Sequence, residues 1–463
     1  MTTEQVMRAL DAKLVGARPP AISGFSIDSR TLQPGDLFFA IKGPRFDGHD
    51  FLYSVFQKGA AAAVVSELKP EISPSNSLLR VDDTTVALQK LARQYRQLWG
   101  KTVIAVTGST GKTTTKTFIA SVLHSRFKVF SNPGNLNNHY GLPLSLLRMP
   151  EDSDVAVLEM GMSALGEIAT LSCICEPNIG VITNVQPVHL EFFESLEQIA
   201  QAKAELASYL EGRGTWVYNA DDQLLAGRAE SFRGDKIGFG IAQSASVRSE
   251  NIRVVDLHRT EFDLLMGRSR LKVVLPVAGK YFVYNFLAAA AVASLMGLTA
   301  EEVAARSASL SPAPMRGRII RLKHSATVID DSYNSNPAAL HEVATSASVL
   351  GGYSRRVAVV GEMLELGARS KEFHFNAGLE LAQMGYDWVI GVRGHAAEIC
   401  AGARQGGAAD AQVRFFSDSE SAAEFVAPFC SSGDLLLVKG SRGVHMEKVV
   451  ERLVAEYGGA EAS

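Results

Sequence analysis

The chain has 463 residues, which is more than one hydrophobic core usually organises, so two or three domains are expected. Its composition, 46% hydrophobic and 21% charged with 40 glycines, is typical of a globular α/β protein. Lys and Arg total 46 against 49 for Asp and Glu, and the resulting net charge of -3 argues against a broad nucleic-acid-binding face.

The cysteines and the apolar segments indicate in which cellular compartment the protein is expected. No paired C-x-x-C set occurs, so we expect buried small side chains rather than a disulfide framework at Cys173, Cys175, Cys400 and Cys430. The N-terminal stretch MTTEQVMRALDAKL carries acids at helical spacing, and no signal peptide is expected. The longest apolar run, 286–296, is shorter than the ~18 residues of a membrane helix. These features predict a cytoplasmic protein without membrane insertion.

The first region, predicted as a small α/β domain over residues 1–98, mixes short strands with turns. DLFFAIKG has the composition of a strand and is followed by the polar loop PRFDGHDF. KGAAAAVVSE indicates the end of a helix that leads into another strand.

The second region, predicted over residues 99–311, alternates apolar strands with helical stretches. Its strands, VIAVTG, VAVLEMG, NIGVITNV and GTWVYNADD, lack the alternation of a half-exposed strand, which favours a parallel sheet buried on both faces. A helix over 284–296 is expected to end at Gly297, because glycine favours the position after a helix end.

The third region, predicted over residues 312–463, follows the Pro-rich segment SPAPMRGR (311–318), which indicates a linker or hinge. ATVIDDSYNSNP, RVAVVGEM, DWVIGVRG and DLLLVKGSRG again are apolar strands with polar tails, as expected for a second doubly wound sheet. Ligands of such sheets bind outside the carboxyl ends of the strands, where these polar tails would lie.

One short stretch, GSTGKT at 108–113, predicts a phosphate site. It follows a strand and precedes a helix, so glycine backbone N–H groups and the helix N-terminus would face phosphate oxygens. Lys112 would reach the terminal phosphates, and the Thr113 hydroxyl would ligate magnesium. The spacing departs from the usual P-loop, since only two residues separate the glycines and Val106 stands where a glycine is usual. A plain glycine turn is the alternative.

Magnesium needs oxygen ligands beyond one threonine, and two further strand ends offer candidates. Glu159 ends VAVLEMG, and His189 follows an apolar strand in NVQPVHLEFF. Each has an ordinary alternative, a solvated glutamate and a loop histidine satisfied by its neighbours. Three candidates at three strand ends of one sheet make a shared metal site the favoured interpretation.

Taken together, these motifs resemble the Mur ligases of peptidoglycan synthesis over essentially the whole chain. SIDSRTLQPGDLFFAIKGPRFDGHDF is similar to the family's UDP-sugar-binding segment, and GSTGKTTTK, SNPGNLNNHYGLPLSLL, EMGMSALGEI and TNVQPVHLEFFESLEQIAQAKAE follow in family order. MRGR, DDSYNSNPAAL, VVGEMLELG and VKGSRG complete the set. GKTTT is common to the family, whereas GNLNN and DDSYNSNP favour the member that adds a dipeptide. The DNPR-like motif expected of the member that adds a diamino acid does not occur.

The resemblance implies a three-domain α/β enzyme: an N-terminal UDP-sugar domain, a central P-loop-type ATPase domain and a C-terminal Rossmann-like domain that binds the dipeptide. It implies an ATP- and Mg²⁺-dependent ligase that adds D-alanyl-D-alanine to UDP-N-acetylmuramoyl-tripeptide through an acyl phosphate, with closure between domains. We expect a monomer, and no nucleic-acid partner.

Residue roles follow from the same resemblance. Those implied for catalysis are Lys112, His189, Lys203 and Arg318. Those implied for the nucleotide are Gly108, Ser109, Thr110, Gly111, Lys112, Thr113, Thr114, Asn285, Arg318 and Asp331. Those implied for the other substrates are Ser29, Arg30, His49, Asn135, Asn138, Asn334, Asn336, Lys439 and Ser441. Those implied for the metal are Thr113, Glu159, His189 and Lys203.

The resemblance implies something further at Lys203 and Arg318, and the sequence departs from the family pattern just before Asn285. Lys203 matches a lysine that relatives carry carbamylated; its alternative is an ordinary solvated helix lysine. Arg318 is expected to reach the γ-phosphate only when the domains close. The family's His-Asn pair before Asn285 is replaced by Tyr281 and Phe282, which removes a second polar contact to the adenine.

Other interpretations stay open at this point. GNLNN could be a turn, DDSYNSNP could cap a helix that starts after Asn336, and DSR at 28–30 could be a surface turn. A sister ligase that adds a diamino acid, a folylpolyglutamate synthase, a P-loop regulatory ATPase and an inactive scaffold are the competing functions. The third residue of the tripeptide is left undetermined.

Overall fold

Three sheets, one in each third of the chain, organise the computed structural model, which describes residues 1–70, 72–188, 190–242 and 245–461. The N-terminal sheet has the order β1-β5-β4-β3-β2, parallel except for β1 against β5. Its elements are α1 Thr3–Leu10, β1 Lys13–Gly16, β2 Gly24–Ser26, β3 Asp36–Phe39, α2 Leu52–Gln57, β4 Ala62–Val65, β5 Ser77–Arg80 and α3 Thr84–Trp99.

The central sheet has nine strands in the order β14-β13-β12-β11-β10-β9-β6-β8-β7. Its strands are β6 Thr102–Thr107, β7 Val129–Ser131, β8 Val155–Glu159, β9 Ile179–Ile182, β10 Thr215–Asn219, β11 Asp235–Gly240, β12 Val247–Asp256, β13 Arg259–Met266 and β14 Ser269–Leu275. Its helices are α4 Lys112–Leu123, α5 Gly141–Leu147, α6 Glu167–Cys175, α7 Leu196–Leu210, α8 Gln223–Ser231, α9 Lys280–Leu295 and α10 Ala300–Arg306.

The C-terminal sheet has seven strands in the order β19-β18-β17-β20-β16-β15-β21. Its strands are β15 Arg318–Leu322, β16 Thr327–Asp331, β17 Arg355–Gly361, β18 Trp388–Val392, β19 Val413–Phe416, β20 Asp434–Lys439 and β21 Gly459–Glu461. Its helices are α11 Pro337–Ser348, α12 Ser370–Gln383, α13 Ala396–Gln405, α14 Ser419–Phe429 and α15 Glu447–Tyr457.

The three-domain α/β class with mostly parallel sheets is as predicted, but the central sheet is not parallel throughout. Strands β12, β13 and β14 form an antiparallel extension at its edge. More buried and less buried residues alternate along β14, as in a sheet with one solvated face. Helix α9 also begins at Lys280, four residues before the predicted start.

Local chemistry sets the helix ends that matter for the site. The Asp83 side chain accepts hydrogen bonds from the backbone N–H groups of Thr85 (2.7 Å) and Val86 (2.9 Å) at the start of α3. Asn336 caps α11 by accepting from the Ala339 N–H (2.9 Å), and Pro337 takes the first helical position, where its missing N–H is not needed. DDSYNSNP therefore is a strand end followed by a capped helix.

Candidate active site

A polar cavity of about 630 Å³ lies between the central and C-terminal domains. The carboxyl ends of strands from both sheets open into it, as the sequence predicts for doubly wound sheets. Residues that line it from the central domain include Gly108, Ser109, Thr110, Gly111, Lys112, Thr113, Thr114, Asn138, Glu159, Lys203 and Asn285, and those from beyond residue 311 include Arg316, Asp331, Asn334, Asn336, Glu342 and Lys439.

The phosphate loop between β6 and α4 needs glycine at two places. Gly108 has φ 146°, and a Cβ there would stand 1.9 Å from Thr183 Oγ1. Gly111 has φ 76°, and a Cβ there would stand 2.5 Å from Asn285 Oδ1. Both conformations disfavour any residue with a side chain, so the glycines fix the loop close to its neighbours.

The loop is held from the next strand by residues that the sequence did not single out. Asn184 Oδ1 accepts from the Thr110 N–H (2.9 Å), and Asn184 Nδ2 donates to Thr110 Oγ1 (2.8 Å). Thr183 Oγ1 donates to the Thr110 carbonyl (2.6 Å). The polar tail of NIGVITNV was the available signal, since it places polar side chains at a strand end beside the loop.

Lys112 and Thr113 begin α4 at the floor of the cavity. Lys112 Nζ donates to the carbonyls of Gly108 (2.9 Å) and Ser109 (3.2 Å), within its own loop. Burial lowers the pKa of Lys112, and the Glu159 carboxylate partly opposes that shift. Thr113 Oγ1 donates to Glu159 Oε2 (2.8 Å), so two of the predicted metal ligands are in direct contact.

Asparagines of SNPGNLNN (131–138) hold Glu159 in place. Asn137 Nδ2 donates to Glu159 Oε1 (2.9 Å), while Asn132 accepts from the Glu159 N–H (2.8 Å) and donates to the Glu159 carbonyl (3.1 Å). Asn138, which was predicted for substrate, accepts from the Gly141 N–H (2.8 Å) and lines the cavity. Asn135, also predicted for substrate, is exposed and does not line the cavity. Nothing in a run of asparagines tells which member turns inward.

Lys203 lies on α7 and is 1% exposed, so it is not the solvated helix lysine of the alternative interpretation. Within the described residues no hydrogen bond or ion pair is formed by its Nζ. Burial, and then the nearby Lys112 cation, hold the pKa of Lys203 well below its ordinary value. A lowered pKa increases the fraction of the neutral amine, which is the form that reacts with electrophiles.

His189, the remaining predicted metal ligand, lies outside the described residues. In the part of the chain that the structure describes, no group of three or more His, Cys, Asp and Glu side chains could hold a metal ion. Thr113 and Glu159 offer oxygen donors, and a magnesium site there would need further ligands.

The side of the cavity where the sequence predicts the adenine is aromatic. Asn285 lines it, but its Oδ1 accepts from Thr115 Oγ1 (3.1 Å) and packs on Gly111, which places it against the phosphate loop. The Tyr281 and Phe282 rings lie 4.3 Å apart beside it. The predicted contact between Asn285 and adenine stays a prediction.

The C-terminal wall carries a buried ion pair at two strand ends. Lys439 Nζ donates to Asp331 Oδ2 (2.5 Å) and to the Asn334 carbonyl (2.9 Å). Both Asn334 and Asn336 line the cavity, as predicted. Ser441 instead accepts from the Leu364 N–H (2.9 Å) and is not among the lining residues.

The linker arginines lie in different places. Arg318 begins β15, where it pairs in register with Asp330, and it does not line the cavity. Arg316, to which the family resemblance assigns no role, does line it. MRGR presents two arginines, and sequence alone does not decide between them.

The three residues predicted for the UDP-sugar lie in the N-terminal domain, away from the cavity. Arg30 is exposed and ion-paired with Asp28 (2.7 Å), which lowers the pKa of that carboxyl to about 2. The Ser29 carbonyl accepts from Lys58 Nζ (2.6 Å). His49 is buried, and its Nδ1 contacts Asp47 (2.6 Å) while its Nε2 accepts from the Ser66 N–H (3.0 Å). His49 thus supports the domain from within, and its contact with ligand stays a prediction.

Three α/β domains with a glycine-rich phosphate loop facing a second doubly wound sheet define a multidomain nucleotide-binding protein. Comparison with known families makes this specific. Residues 21–96 match the model described as "Mur ligase family, catalytic domain". Residues 106–293 match the Mur ligase middle domain, and residues 315–442 match the model described as "Mur ligase, glutamate ligase domain". The chain belongs to the Mur ligase family.

Individual relatives match nearly end to end. UDP-N-acetylmuramoyl-tripeptide--D-alanyl-D-alanine ligase of Bacillus subtilis is 36% identical over 94% of this chain and 93% of its own. The crystal structure of MurF from Acinetobacter baumannii superimposes with TM-score 0.89 at 29% identity over 98% of both chains. MurF ligase from Thermotoga maritima, solved in complex with ADP, gives TM-score 0.83 at 31% identity over 94% of this chain and 97% of that one.

No helix of the described residues is both long and apolar enough to cross a membrane.

Proposed function

We propose that this chain is an ATP-dependent ligase that joins D-alanyl-D-alanine to UDP-N-acetylmuramoyl-tripeptide, forming UDP-N-acetylmuramoyl-pentapeptide. The observation that carries the proposal is the single cavity in which the phosphate loop of the central domain faces Asp331, Asn334 and Lys439 of the C-terminal domain. Relatives that match over nearly the whole chain are named for this reaction. A P-loop regulatory ATPase would leave the C-terminal polar wall without a ligand.

Joining a carboxylate to an amine in water requires activation of the carboxylate. An oxygen of the tripeptide's terminal carboxylate attacks the γ-phosphorus of ATP, the bond to the β-phosphate oxygen breaks, and ADP leaves. The dipeptide's amine then attacks the acyl phosphate carbon, loses a proton, and expels inorganic phosphate. The protein's task is alignment and charge stabilisation, because no side-chain nucleophile takes part.

The residue roles proposed for these steps are those that the family resemblance implies. Lys112 would leave the loop carbonyls of Gly108 and Ser109 and donate to the terminal phosphates. Arg318 would approach the γ-phosphate on closure, and Asp331 would lie near the ribose. Asn334 and Asn336 would face the reacting centre or the incoming dipeptide.

We further propose that Mg²⁺ binds at Thr113 and Glu159, with His189 and a modified Lys203. Bound there, Mg²⁺ would neutralise phosphate charge. The donor set supports this fit, since Thr113 and Glu159 already touch (2.8 Å). Lys203, buried and without a partner among the described residues, is the group that needs an anion beside it or a change of its own charge.

Carbamylation would supply that change. The neutral Nζ of Lys203 attacks carbon dioxide, an N–C bond forms, and a proton is lost, which converts a cation into a carboxylate-like anion. Protein incubated with ¹³C-bicarbonate should give a carbamate carbon resonance that Lys203→Met lacks. Absence of the resonance in the parent protein would remove Lys203 from the ligand set.

The proposed reaction is tested by phosphate release from ATP and Mg²⁺ in the presence of UDP-N-acetylmuramoyl-tripeptide, with and without D-alanyl-D-alanine. Release that requires both, with a pentapeptide product by mass, is expected. Release that is indifferent to the dipeptide would favour the regulatory ATPase, and a diamino acid accepted in its place would favour a sister ligase. We also propose a cytoplasmic monomer, which light scattering of the purified chain would check for its mass.

A further inference from the structure

The linker between the central and C-terminal domains turns sharply around Arg316. Its two neighbours both adopt left-handed backbone, Met315 at φ 60° and Gly317 at φ 75°. A Cβ on Gly317 would stand 3.2 Å from Phe282 Cζ and 3.2 Å from the Tyr281 hydroxyl. Glycine at 317 thus lets the linker press against the aromatic pair, and this bend directs residue 316 towards the cavity rather than along β15.

Arg316 is held in the cavity wall by stacking. Its guanidinium lies 4.2 Å from the centre of the Tyr333 ring, within the range of a cation–π contact. The Tyr333 N–H donates to the Met315 carbonyl (3.2 Å), which ties the ring to the linker. Across the described residues, no carboxylate forms an ion pair with Arg316 and none of its guanidinium N–H groups has a protein acceptor. Its donors are therefore positioned but unused.

The charges around Arg316 call for an anionic ligand. Arg316 lies close enough to contribute to the lowered pKa values of both Lys112 and Lys116, for which burial is the main cause. Two of the cavity's carboxylates are engaged elsewhere, Glu159 with Thr113 and Asn137, and Asp331 with Lys439. Cations gathered this way repel one another unless a polyanion lies between them.

We propose that Arg316 is a further catalytic residue, which contacts the terminal phosphate of ATP opposite Lys112 and stabilises the charge of the phosphoryl group during transfer. This deepens the proposed function and rests on it. The guanidinium offers a planar pair of N–H donors, which suits two oxygens of one phosphate better than a lysine ammonium does. Because it comes from the linker, Arg316 would couple the position of the C-terminal domain to the state of the nucleotide.

The experiment compares two ligands and three variants. Isothermal titration calorimetry with Mg²⁺ would measure binding of ADP and of the non-hydrolysable analogue AMP-PNP to the full chain. The variants are Arg316→Ala, Arg316→Lys and the control Arg321→Ala, which removes an exposed cation three residues into β15 and away from the cavity. Turnover and thermal unfolding of each variant would be measured alongside.

For Arg316→Ala we expect AMP-PNP affinity to fall about 10-fold or more and kcat about 10²-fold, with ADP affinity within about 3-fold of the parent. Arg316→Lys should recover part of kcat, because it keeps the charge without the fork. Arg321→Ala should match the parent in every readout. An Arg316→Ala protein that unfolds at the parent temperature yet binds AMP-PNP like the parent would overturn the proposal.

Equal losses of ADP and AMP-PNP affinity would also overturn it, since they would move the contact away from the terminal phosphate. If Arg316→Ala proves unstable, Arg316→Lys still decides through the ratio of the two affinities. The binding measurements need neither the UDP-sugar peptide nor the dipeptide. They therefore stand even if the proposed ligase reaction fails, and the two failures can be told apart.

Discussion

The two domain boundaries of this chain are built differently. At the first, helix α3 packs Leu88, Leu91 and Tyr95 into one apolar core that the N-terminal and central domains share. Tyr95 also donates to the Met149 carbonyl (2.7 Å), and Arg96 donates to the Cys175 carbonyl (2.7 Å). At the second, the central and C-terminal domains face each other across the polar cavity.

Among the described residues, apolar contact at the second boundary includes the tip of one hairpin. Leu257, in the turn between β12 and β13, is 4% exposed and joins the core of the C-terminal domain, with Val254 and Ala278 packed beside it. On another side of the boundary, the Glu191 N–H donates to the Glu365 carbonyl (3.2 Å). The two domains meet here through a hairpin tip, a linker and backbone contacts. Separating them therefore costs less free energy than separating domains that share a continuous core.

This difference indicates which body moves. Separating the first two domains would expose a shared core, and apolar area costs about 25 cal/mol per Å² when returned to water. Separating the last two would mainly wet groups that already face a polar cavity. We therefore infer that the N-terminal and central domains act as one body, and that closure of the C-terminal domain assembles the site.

The largest expected effect concerns the cavity itself. Lys112→Ala should lower kcat by about 10³-fold or more, because the variant loses a cation aimed at the transferred phosphoryl group. Its unfolding temperature should be unchanged or raised, because a desolvated cation is removed from a buried position. Steady-state phosphate release and thermal unfolding would be measured together.

Lys128→Ala is the matched control for Lys112→Ala. Lys128 is a central-domain lysine whose exposed side chain pairs with Asp152 at the surface (2.9 Å). It should keep parent activity. Retained turnover in a folded Lys112→Ala protein would show that the cavity floor is not the phosphate site.

The sequence carries most of the fold and the chemistry that depends on local spacing. Neighbouring residues determine the buried strands, such as the one that ends at Glu159, and the loop from Gly108 to Lys112. The sequence pattern alone therefore predicts both. The antiparallel extension at β12–β14 was not predicted, because the apolar and polar residues of β14 do not alternate throughout: Val273, Val274 and Leu275 are consecutive.

Within the site, the sequence does not predict which of several similar residues lies at the cavity, because that depends on contacts between residues distant in sequence. Asn137, not Asn135, turns towards Glu159, and Arg316 rather than Arg318 lines the cavity. His49 has both ring nitrogens engaged inside its own domain. For the asparagines and the arginines, the motif contains the right residue types, but only the packed chain selects which one faces the cavity.

A core substitution at the first boundary should show that two domains unfold as one. Leu91→Ala should lower the free energy of unfolding by about 3 kcal/mol, since it leaves a cavity in the shared core. Trp99 and Trp216 report on the joined domains and Trp388 on the C-terminal one. In a Trp388→Phe background, the fluorescence transition of Leu91→Ala should shift as a single step.

The counterpart in the C-terminal core is Leu437→Ala. With Trp388 as the only tryptophan, it should shift the C-terminal transition by a similar amount. In the Trp388→Phe background, where Trp99 and Trp216 report, Leu437→Ala should leave the unfolding transition unchanged. Two separate transitions from Trp99 and Trp216 in Leu91→Ala would contradict a shared unit.

The pH dependence of the free energy of unfolding should reveal the buried amine of Lys203. The pKa of Lys203 in the folded protein lies well below the 10.5 of the unfolded chain. Between those two values the unfolded state binds more protons, so the stability of the unmodified protein rises with pH across that window. Below the folded pKa the full destabilisation is present. Denaturant titrations in buffers free of carbon dioxide, at several pH values, measure this slope.

Lys203→Met should flatten that slope and raise the free energy of unfolding near neutral pH by about 1–3 kcal/mol, the cost of burying a polar group without a partner. The exposed Lys128→Met should change neither quantity. A Lys203→Met protein that is less stable than the unmodified parent at pH 7 would mean that Lys203 has a stabilising partner.

The smallest expected effect tests the hairpin tip that anchors the second boundary. Leu257→Ser replaces a buried apolar side chain at the point where the central domain enters the C-terminal core, whereas Val255→Ser alters a 39% exposed neighbour on the same hairpin. A polar side chain there weakens docking of the C-terminal domain without touching the cavity, so KM for ATP should rise about 3-fold with little change in kcat. Small-angle scattering should show a larger radius of gyration for Leu257→Ser than for Val255→Ser. If both variants match the parent in scattering and KM, the linker and the loop contact at Glu365 hold the C-terminal domain without the hairpin, and the apolar anchor plays no part in closure.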